Sequence, residues 1–243
     1  MSLTVGVLAL QGGFHEHLTL LRQASQHLKA TNPKAQSTDF SFLQVRTSKE
    51  LDQCDALIIP GGESTTISLV AGQTDLLDKL RHFVKVDRKP TWGTCAGLIL
   101  LSQNANATKQ GGQDLIGGLS VRVHRNHFGR QMESFEADLD LPFLASATTD
   151  TSPPPPPYPG VFIRAPVVEE VLAPADVQVL AKLPGRVDRV RPGVSQASTK
   201  DDSGDIVAVR QGNVLGTSFH PELTSDARIH AWWLDQILQS RQA

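Results

Sequence analysis

Cysteine is scarce in this sequence. Its 243 residues hold two, Cys54 and Cys95. Two thiols make no disulfide framework, and the scarcity points to a reducing compartment in which a lone exposed thiol is available for chemistry. No apolar stretch approaches the ~18 residues of a membrane span. The opening segment MSLTVGVLAL lacks the basic n-region of a secretory signal and reads instead as a first strand, so a cytoplasmic location is expected. Net charge is nearly absent as well. The formal value of -2 leaves no global field to recruit nucleic acid or an anionic membrane. With 40% hydrophobic and 20% charged residues, the composition is that of a globular protein with ample chain for a sizeable core.

LTVGVLAL (3–10) is β-branched and apolar throughout, as a buried parallel strand is. QGG breaks it, and FHEHLTLLRQASQHL follows with helical apolar spacing at Phe14, Leu18, Leu21 and Leu28. A strand, a glycine-rich turn and a helix begin a doubly wound α/β sheet. FSFLQVR (40–46) and DALIIPGG (55–62) read as further strands, and ESTTISLV and TDLLDKLRHFVKV as helices. KPTWGTC is a short strand ending at Cys95, with a helix starting at AGLILLS. Three strand ends, at Gln11-Gly12-Gly13, Gly61-Gly62 and Cys95, thus fall on one edge of the sheet. Open α/β sheets bind ligands outside the carboxyl ends of their strands.

The second half is richer in strands. LSVRVHR, SFEADLDL, GVFIRAP, VQVLAKL, DIVAVRQ and VLGTSFH are candidates, and SDARIHAWWLDQILQ closes as an amphipathic helix. Insertions are expected near 30–39, 147–160 and 184–204. The five-proline run within the second cannot pair in a sheet and reads as an exposed polyproline spacer, with docking of an SH3 or WW domain as the functional alternative.

The stretch Gly93-Thr94-Cys95-Ala96-Gly97 is the thiol version of the G-x-S-x-G nucleophile elbow. Such a turn points Sγ into a cleft. The helix N-terminus behind it favours the thiolate, and the N–H of Ala96 can face a tetrahedral oxyanion. By itself the pattern leaves a buried structural cysteine open, since small residues also fill tight βα turns. A thiol nucleophile needs a base, and the base needs an orienting group. His220 ends the apolar strand NVLGTSF at the same sheet edge, Pro221 stops that strand, and Glu222 can reach the imidazole from two residues on. Together with the elbow this favours a Cys-His-Glu triad. PGGEST (60–65) adds glycines whose backbone N–H groups, Gly62 above all, can supply a second oxyanion donor. It lacks the lysine of a phosphate-binding loop.

With these motifs in place the sequence resembles the class I, triad-type glutamine amidotransferases, and within them the glutaminase subunits of pyridoxal 5′-phosphate synthases. The matching stretches are GVLALQGGFHEH, LIIPGGESTT, GTCAGLILL, RNHFGRQMESFEADL, FIRAP and GTSFHPELTSD, collinear over residues 5–226. The resemblance implies one α/β domain over 1–243, with a mostly parallel central sheet flanked by helices in a flavodoxin-like three-layer arrangement and a small antiparallel β extension. It implies Cys95 as nucleophile, His220 as base and Glu222 as its partner. Gly61, Gly62, Glu63, Arg125 and the pair Ile163-Arg164 are implied to contact glutamine. Free glutamine is a zwitterion, so Arg125 or Arg164 suits its carboxylate and Glu63 its ammonium. The implied reaction is glutamine hydrolysis through a γ-glutamyl thioester, with ammonia passed to the synthase subunit that builds pyridoxal 5′-phosphate. It calls for no metal and no organic cofactor. Two other readings of the same residues stay open: another thiol hydrolase of this fold (a γ-glutamyl peptidase or a DJ-1-like enzyme), and a non-catalytic regulatory subunit.

Four other features draw attention. His15 and His17, two apart on a helix, do not share a face, which argues against a metal. Cys54 has no basic neighbour in sequence and reads as filler. Of Trp232 and Trp233, one is expected to anchor packing and the other to lie partly exposed or at an interface. Gln11 is assigned to the partner-facing side of the site by the resemblance alone.

Overall fold

β1 (Ser2–Leu8) is buried without interruption from Val5 to Leu8 because both faces of the sheet are covered where it runs. The computed structural model describes residues 1–106, 113–125, 134–144, 156–183 and 205–241. After β1 come α1 (Phe14–Thr31), α2 (Pro33–Gln36), β2 (Asp39–Val45), α3 (Ser48–Leu51), β3 (Ala56–Ile59), α4 (Ser64–Gly72), α5 (Leu76–Lys85), β4 (Thr91–Thr94) and α6 (Ala96–Leu101). The second half brings β5 (Ser102–Asn106), β6 (Leu119–His124), β7 (Ser134–Leu139), β8 (Tyr158–Ile163), β9 (Val167–Val171), β10 (Val177–Leu183), β11 (Asp205–Gln211), β12 (Val214–Thr217) and α7 (Arg228–Ser240).

The main sheet has the order β2-β1-β3-β4-β12-β11-β9-β6-β5, with β10 paired to β11. From β2 to β12 every pairing is parallel. Beyond β12 the pairings through β11, β9 and β6 are antiparallel. β7 and β8 form a separate antiparallel pair, the small extension expected from the sequence. Alternation along β3 shows the layering: Ala56 and Ile58 face α1 and α7, while Leu57 and Ile59 face α4, α5 and α6. The result is a helix–sheet–helix sandwich whose parallel half presents the ends of β1, β3, β4 and β12 at one rim. Among the described residues no helix is long and apolar enough to cross a membrane.

Two strands went unread in the sequence. β5 is SQNAN, a polar edge strand without alternation, and β9 is the five-residue VVEEV. The segment expected as an insertion at 30–39 holds the end of α1, all of α2 and the start of β2. Asn32 caps α2 by accepting from the Lys34 N–H at 2.9 Å, and its amide donates to Asp235 at 2.7 Å. Most of RNHFGRQM, the proline run up to 155 and the expected insertion at 184–204 lie outside the described residues. At the end of that run, Arg228 donates to the carbonyls of Pro156 and Pro157 at 2.7 and 3.1 Å.

The two glycines around Cys95 have a packing reason. A Cβ on Gly97 would lie 2.0 Å from the Ile59 carbonyl oxygen, and one on Gly93 would lie 2.4 Å from the Gly97 carbonyl carbon. The first turn of α6 therefore rests directly on β3 and β4, with no room for a methyl group. Gly97→Ala is expected to lower stability by about 3 kcal/mol, the upper part of the overpacking range. Urea unfolding of the variant measures this, and an unchanged midpoint would rule out so close an approach.

Candidate active site

β4 runs into α6 with a single residue, Cys95, as the hinge. Its φ of 47° and ψ of -100° put it in a backbone region that L-residues avoid. The turn is held on both sides: the Cys95 N–H donates to Thr217 of the neighbouring β12 at 2.8 Å, and its carbonyl accepts from Ile99 at 3.2 Å. The side chain is nearly enclosed, and Sγ approaches the Ile163 carbonyl at 3.9 Å. Ala96 is the first residue of α6, where N–H groups have no intrahelical acceptor.

His220 lies just past β12. Its N–H donates to the Val161 carbonyl at 2.7 Å, which ties the end of β12 to β8 of the small sheet. Pro221 opens a short 3₁₀ turn, Pro221–Leu223, that brings Glu222 back under the ring. His220 Nδ1 and Glu222 Oε1 are 2.8 Å apart and both residues are buried. Burial works against a charged imidazole, but the Cys95 sulfur and the Glu222 carboxylate outweigh it and hold His220 up at about 10. Nε2 makes no well-formed hydrogen bond. Burial likewise works to raise the Glu222 pKa, but His17 and His220 prevail and keep it below the usual carboxylate range. A Cβ on Gly61 would sit 2.4 Å from His220 Cε1, so only glycine leaves room for the ring.

The loop after β3 is tethered at each step. The Gly61 N–H donates to Thr94 Oγ1 at 3.0 Å, and the Gly61 carbonyl accepts from Gly13 at 3.2 Å. The Glu63 N–H donates to Gln11 Oε1 at 2.6 Å, so the Gln11 side chain fastens this loop from below. Glu63 then caps α4 by accepting from Thr65 at 3.2 Å. Gly62 lies between these fixed points.

Of the expected glutamine contacts, Glu63 and Arg125 meet: Arg125 Nη2 donates to Glu63 Oε1 at 3.2 Å and to Thr65 Oγ1 at 3.3 Å. Ile163 is partly exposed, and its carbonyl is the one near Sγ. Arg164 follows with a φ of 45°, again left-handed. Leu223 is also exposed at this rim.

One residue of the cluster was weighed in the sequence only as a metal ligand. His17 is fully buried on α1, with Nε2 3.3 Å from Glu222 Oε2 and 3.2 Å from Thr94 Oγ1, and with Nδ1 3.0 Å from His230 Nε2. The signal was available: Phe14, His17, Leu18 and Leu21 share the inward face of α1. His15 points to solvent. Among the described residues no group of histidine, cysteine and carboxylate side chains is arranged to hold a metal ion. Cys54 is buried, donates to the Glu50 carbonyl at 3.3 Å, and is pushed up to about 12 by burial. Trp233 packs on Trp92 in the core, whereas Trp232 is partly exposed between Phe143 and Arg210.

Comparison with known proteins identifies a family. The profile of the SNO glutamine amidotransferase family matches residues 7–239. A protein of Arabidopsis thaliana named probable pyridoxal 5′-phosphate synthase subunit PDX2 is 43% identical over 99% of this chain and 88% of its own. Pyridoxal 5′-phosphate synthase subunit PdxT of Streptomyces coelicolor is 41% identical over 98% of this chain and 96% of its own. A crystal structure described as a glutamine amidotransferase superposes with a TM-score of 0.72 at 36% identity, covering 96% of this chain and 98% of that one.

The buried imidazoles make stability depend on pH with opposite signs. Burial lowers the pKa of His17 and His230 from 6.5, so the stability they confer is present above that pH and lost as pH falls below it. His220, raised from 6.5 to about 10, stabilises the fold fully below 6.5 and loses that contribution as pH rises toward 10. The melting temperature is therefore expected to peak near pH 6.5 and to fall on either side. His230→Leu should flatten the acid side. A melting temperature that climbs steadily into alkaline pH would contradict these assignments.

Proposed function

Because this chain belongs to the SNO glutamine amidotransferase family, we propose that it hydrolyses L-glutamine to L-glutamate and ammonia with Cys95, His220 and Glu222 as its triad, and that it delivers the ammonia to a pyridoxal 5′-phosphate synthase subunit. The observation that carries the reading is the 2.8 Å contact between His220 and Glu222 beside the left-handed elbow at Cys95. The names of the curated relatives support the destination of the ammonia. The reading takes residues 1–243 as one glutaminase domain, working in a reducing cytoplasm that keeps both thiols free.

His220 takes the Cys95 proton on Nε2, and Glu222 stabilises the imidazolium from the other side of the ring. Sγ attacks the side-chain amide carbon of glutamine. The oxyanion of the tetrahedral intermediate is received by the N–H groups of Ala96 and Gly62. His220 returns its proton to the amide nitrogen, the C–N bond breaks, and ammonia leaves a γ-glutamyl thioester. A water then gives a proton to His220 Nε2 and attacks the thioester. Glutamate departs, and Sγ is returned as the thiol. Arg125 and Glu63, paired with each other at 3.2 Å, separate to receive the α-carboxylate and α-ammonium of the substrate. Ile163 and Arg164 line the same pocket.

A synthase subunit seated over the strand ends, where Leu223 and Ile163 expose apolar surface, gates this reaction through the Gly61-Gly62 peptide. Turning that peptide to aim its N–H at the oxyanion requires giving up the Gly13-to-Gly61 hydrogen bond. Gln11, which holds Glu63, lies beneath the same loop.

Cys95→Ala is expected to abolish glutamine hydrolysis with the fold intact. A glutamine-analogue electrophile should label Cys95 and spare Cys54. Full activity in the variant, or labelling confined to Cys54, would overturn the assignment, and turnover of γ-glutamyl peptides without glutamine turnover would redirect it. Glu222→Gln is expected to lower kcat by a factor on the order of 10²–10⁴. Titrating in the synthase subunit should raise kcat for glutamate formation by at least ~10-fold, about 1.4 kcal/mol of barrier. Full activity in the isolated chain, unchanged by a bound partner, would remove the gate.

A further inference from the structure

The proposed reaction uses one oxygen of Glu222 and leaves the other unexplained. Oε1 faces His220, while Oε2 is buried and makes no well-formed hydrogen bond among the described residues. The donor that approaches it is His17 Nε2, at 3.3 Å. A carboxylate whose second oxygen lacks a donor is costly in a site this buried, and its plane is then fixed by the His220 contact alone.

We propose that His17 is a positioning residue for Glu222: its neutral ring donates Nε2–H to Oε2, fixing the carboxylate plane so that Oε1 meets His220 Nδ1, while His230 sets the His17 tautomer. The inference rests on the roles given above to His220 and Glu222. Elementary bonding rules select the tautomers. An ionised carboxylate oxygen only accepts, so Nε2 of His17 has to carry the proton. Nδ1 of a neutral ring is then an acceptor, and the group facing it at 3.0 Å is His230 Nε2, which has to be protonated in turn. His230 Nδ1 is left as a bare acceptor, and it is indeed without a partner among the described residues. Each other neutral combination sets two lone pairs or two N–H groups against each other.

The surroundings keep the His17 ring neutral. Burial outweighs the attraction of Glu222, His220 presents like charge from the turn after β12, and Glu16 on α1 adds only a lesser pull. From α7 His230 faces it, itself held neutral by burial. Trp92 of β4 packs edge-on at 5.7 Å, and Thr94 Oγ1 is a second acceptor for the Nε2–H at 3.2 Å. That hydroxyl also accepts the Gly61 N–H at 3.0 Å, so the orienting carboxylate and the proposed oxyanion loop share one anchor. The 3.3 Å contact is long for a hydrogen bond to a charged group. Catalytic hydrogen bonds of a substrate-free site commonly tighten once substrate is bound.

Two measurements on the full chain test this. In ¹⁵N NMR of histidine-labelled protein near neutral pH, His17 should show a protonated Nε2 and a bare Nδ1. A bare Nε2, or an imidazolium, would overturn the proposal whatever the activity. In glutaminase assays His17→Phe, which fills the space without a donor, is expected to lose kcat by about 10- to 100-fold, the scale of one hydrogen bond to a charged group, with KM changed less than about threefold. His17→Gln, whose amide reaches toward Oε2, should recover most of the loss. The acid limb of the His17→Phe pH–rate profile should move to higher pH, because a carboxylate short of one donor protonates more readily. Equal losses in the two variants with an unmoved acid limb would mean that His17 only fills space. Should His17→Phe fail to fold, the tautomer measurement decides. An unsubstituted chain that releases no ammonia would defeat the functional reading, and the tautomer would still decide whether His17 is able to donate to Glu222.

Discussion

A buried carboxylate sets the terms for this rim of the sheet. Glu222 is almost wholly enclosed, and the basic side chains that reach its carboxylate among the described residues are histidines, not arginine or lysine. Its charge therefore has to be held by imidazoles placed to within a few tenths of an ångström, and the elements that bring them there are fixed accordingly. α1 begins immediately beyond Gly13, where a Cβ would lie 2.9 Å from Glu222 Cγ. The loop after β3 passes so close to His220 that a side chain at position 61 is excluded. The small β7–β8 sheet holds the backbone of His220 through Val161. Three parts of the chain distant in sequence are committed to one carboxyl group.

The elbow at Cys95 is the second constraint, and its cost is local. A left-handed non-glycine residue persists only where its surroundings over-determine it. Here the surroundings are β12, which takes the Cys95 N–H, and α6, which leans on β3 through two glycines. The strain and the crowding have one origin: α6 starts at the residue directly after Cys95 and lies against β3 and β4 with no space between.

Much of this was legible before any coordinates. β1, β3 and β12 are short, largely apolar runs and β4 a short buried one, punctuated by glycine, cysteine or His-Pro, because strands covered on both faces need no alternation and their ends need sharp turns. The pair His220 and Glu222 could be read from their spacing once the elbow at Cys95 had been recognised. What stayed hidden depends on distance in space. His17 lies on the apolar face of α1 in plain view, but its partners are 205 and 213 residues away, and nothing local distinguishes a hydrogen-bonded core histidine from an idle one. The ion pair between Arg125 and Glu63 joins residues 62 apart, so the sequence read each as a separate contact for substrate. β5 escaped notice because a polar edge strand borrows its order from its neighbour β6.

The position of β12 between β4 and β11 bears on how the molecule is made. β1 to β4 are complete by residue 94, yet the strand that closes the β4 edge ends at residue 217. During synthesis the first half therefore waits with an open edge at β4, the most aggregation-exposed form of an unfinished sheet. The thiol hangs at that edge without His220 beside it. Contacts of such long sequence separation form late, so on the proposed mechanism Cys95 would gain its base only at the last closure of the sheet, and a nascent or truncated chain would carry the cysteine without it.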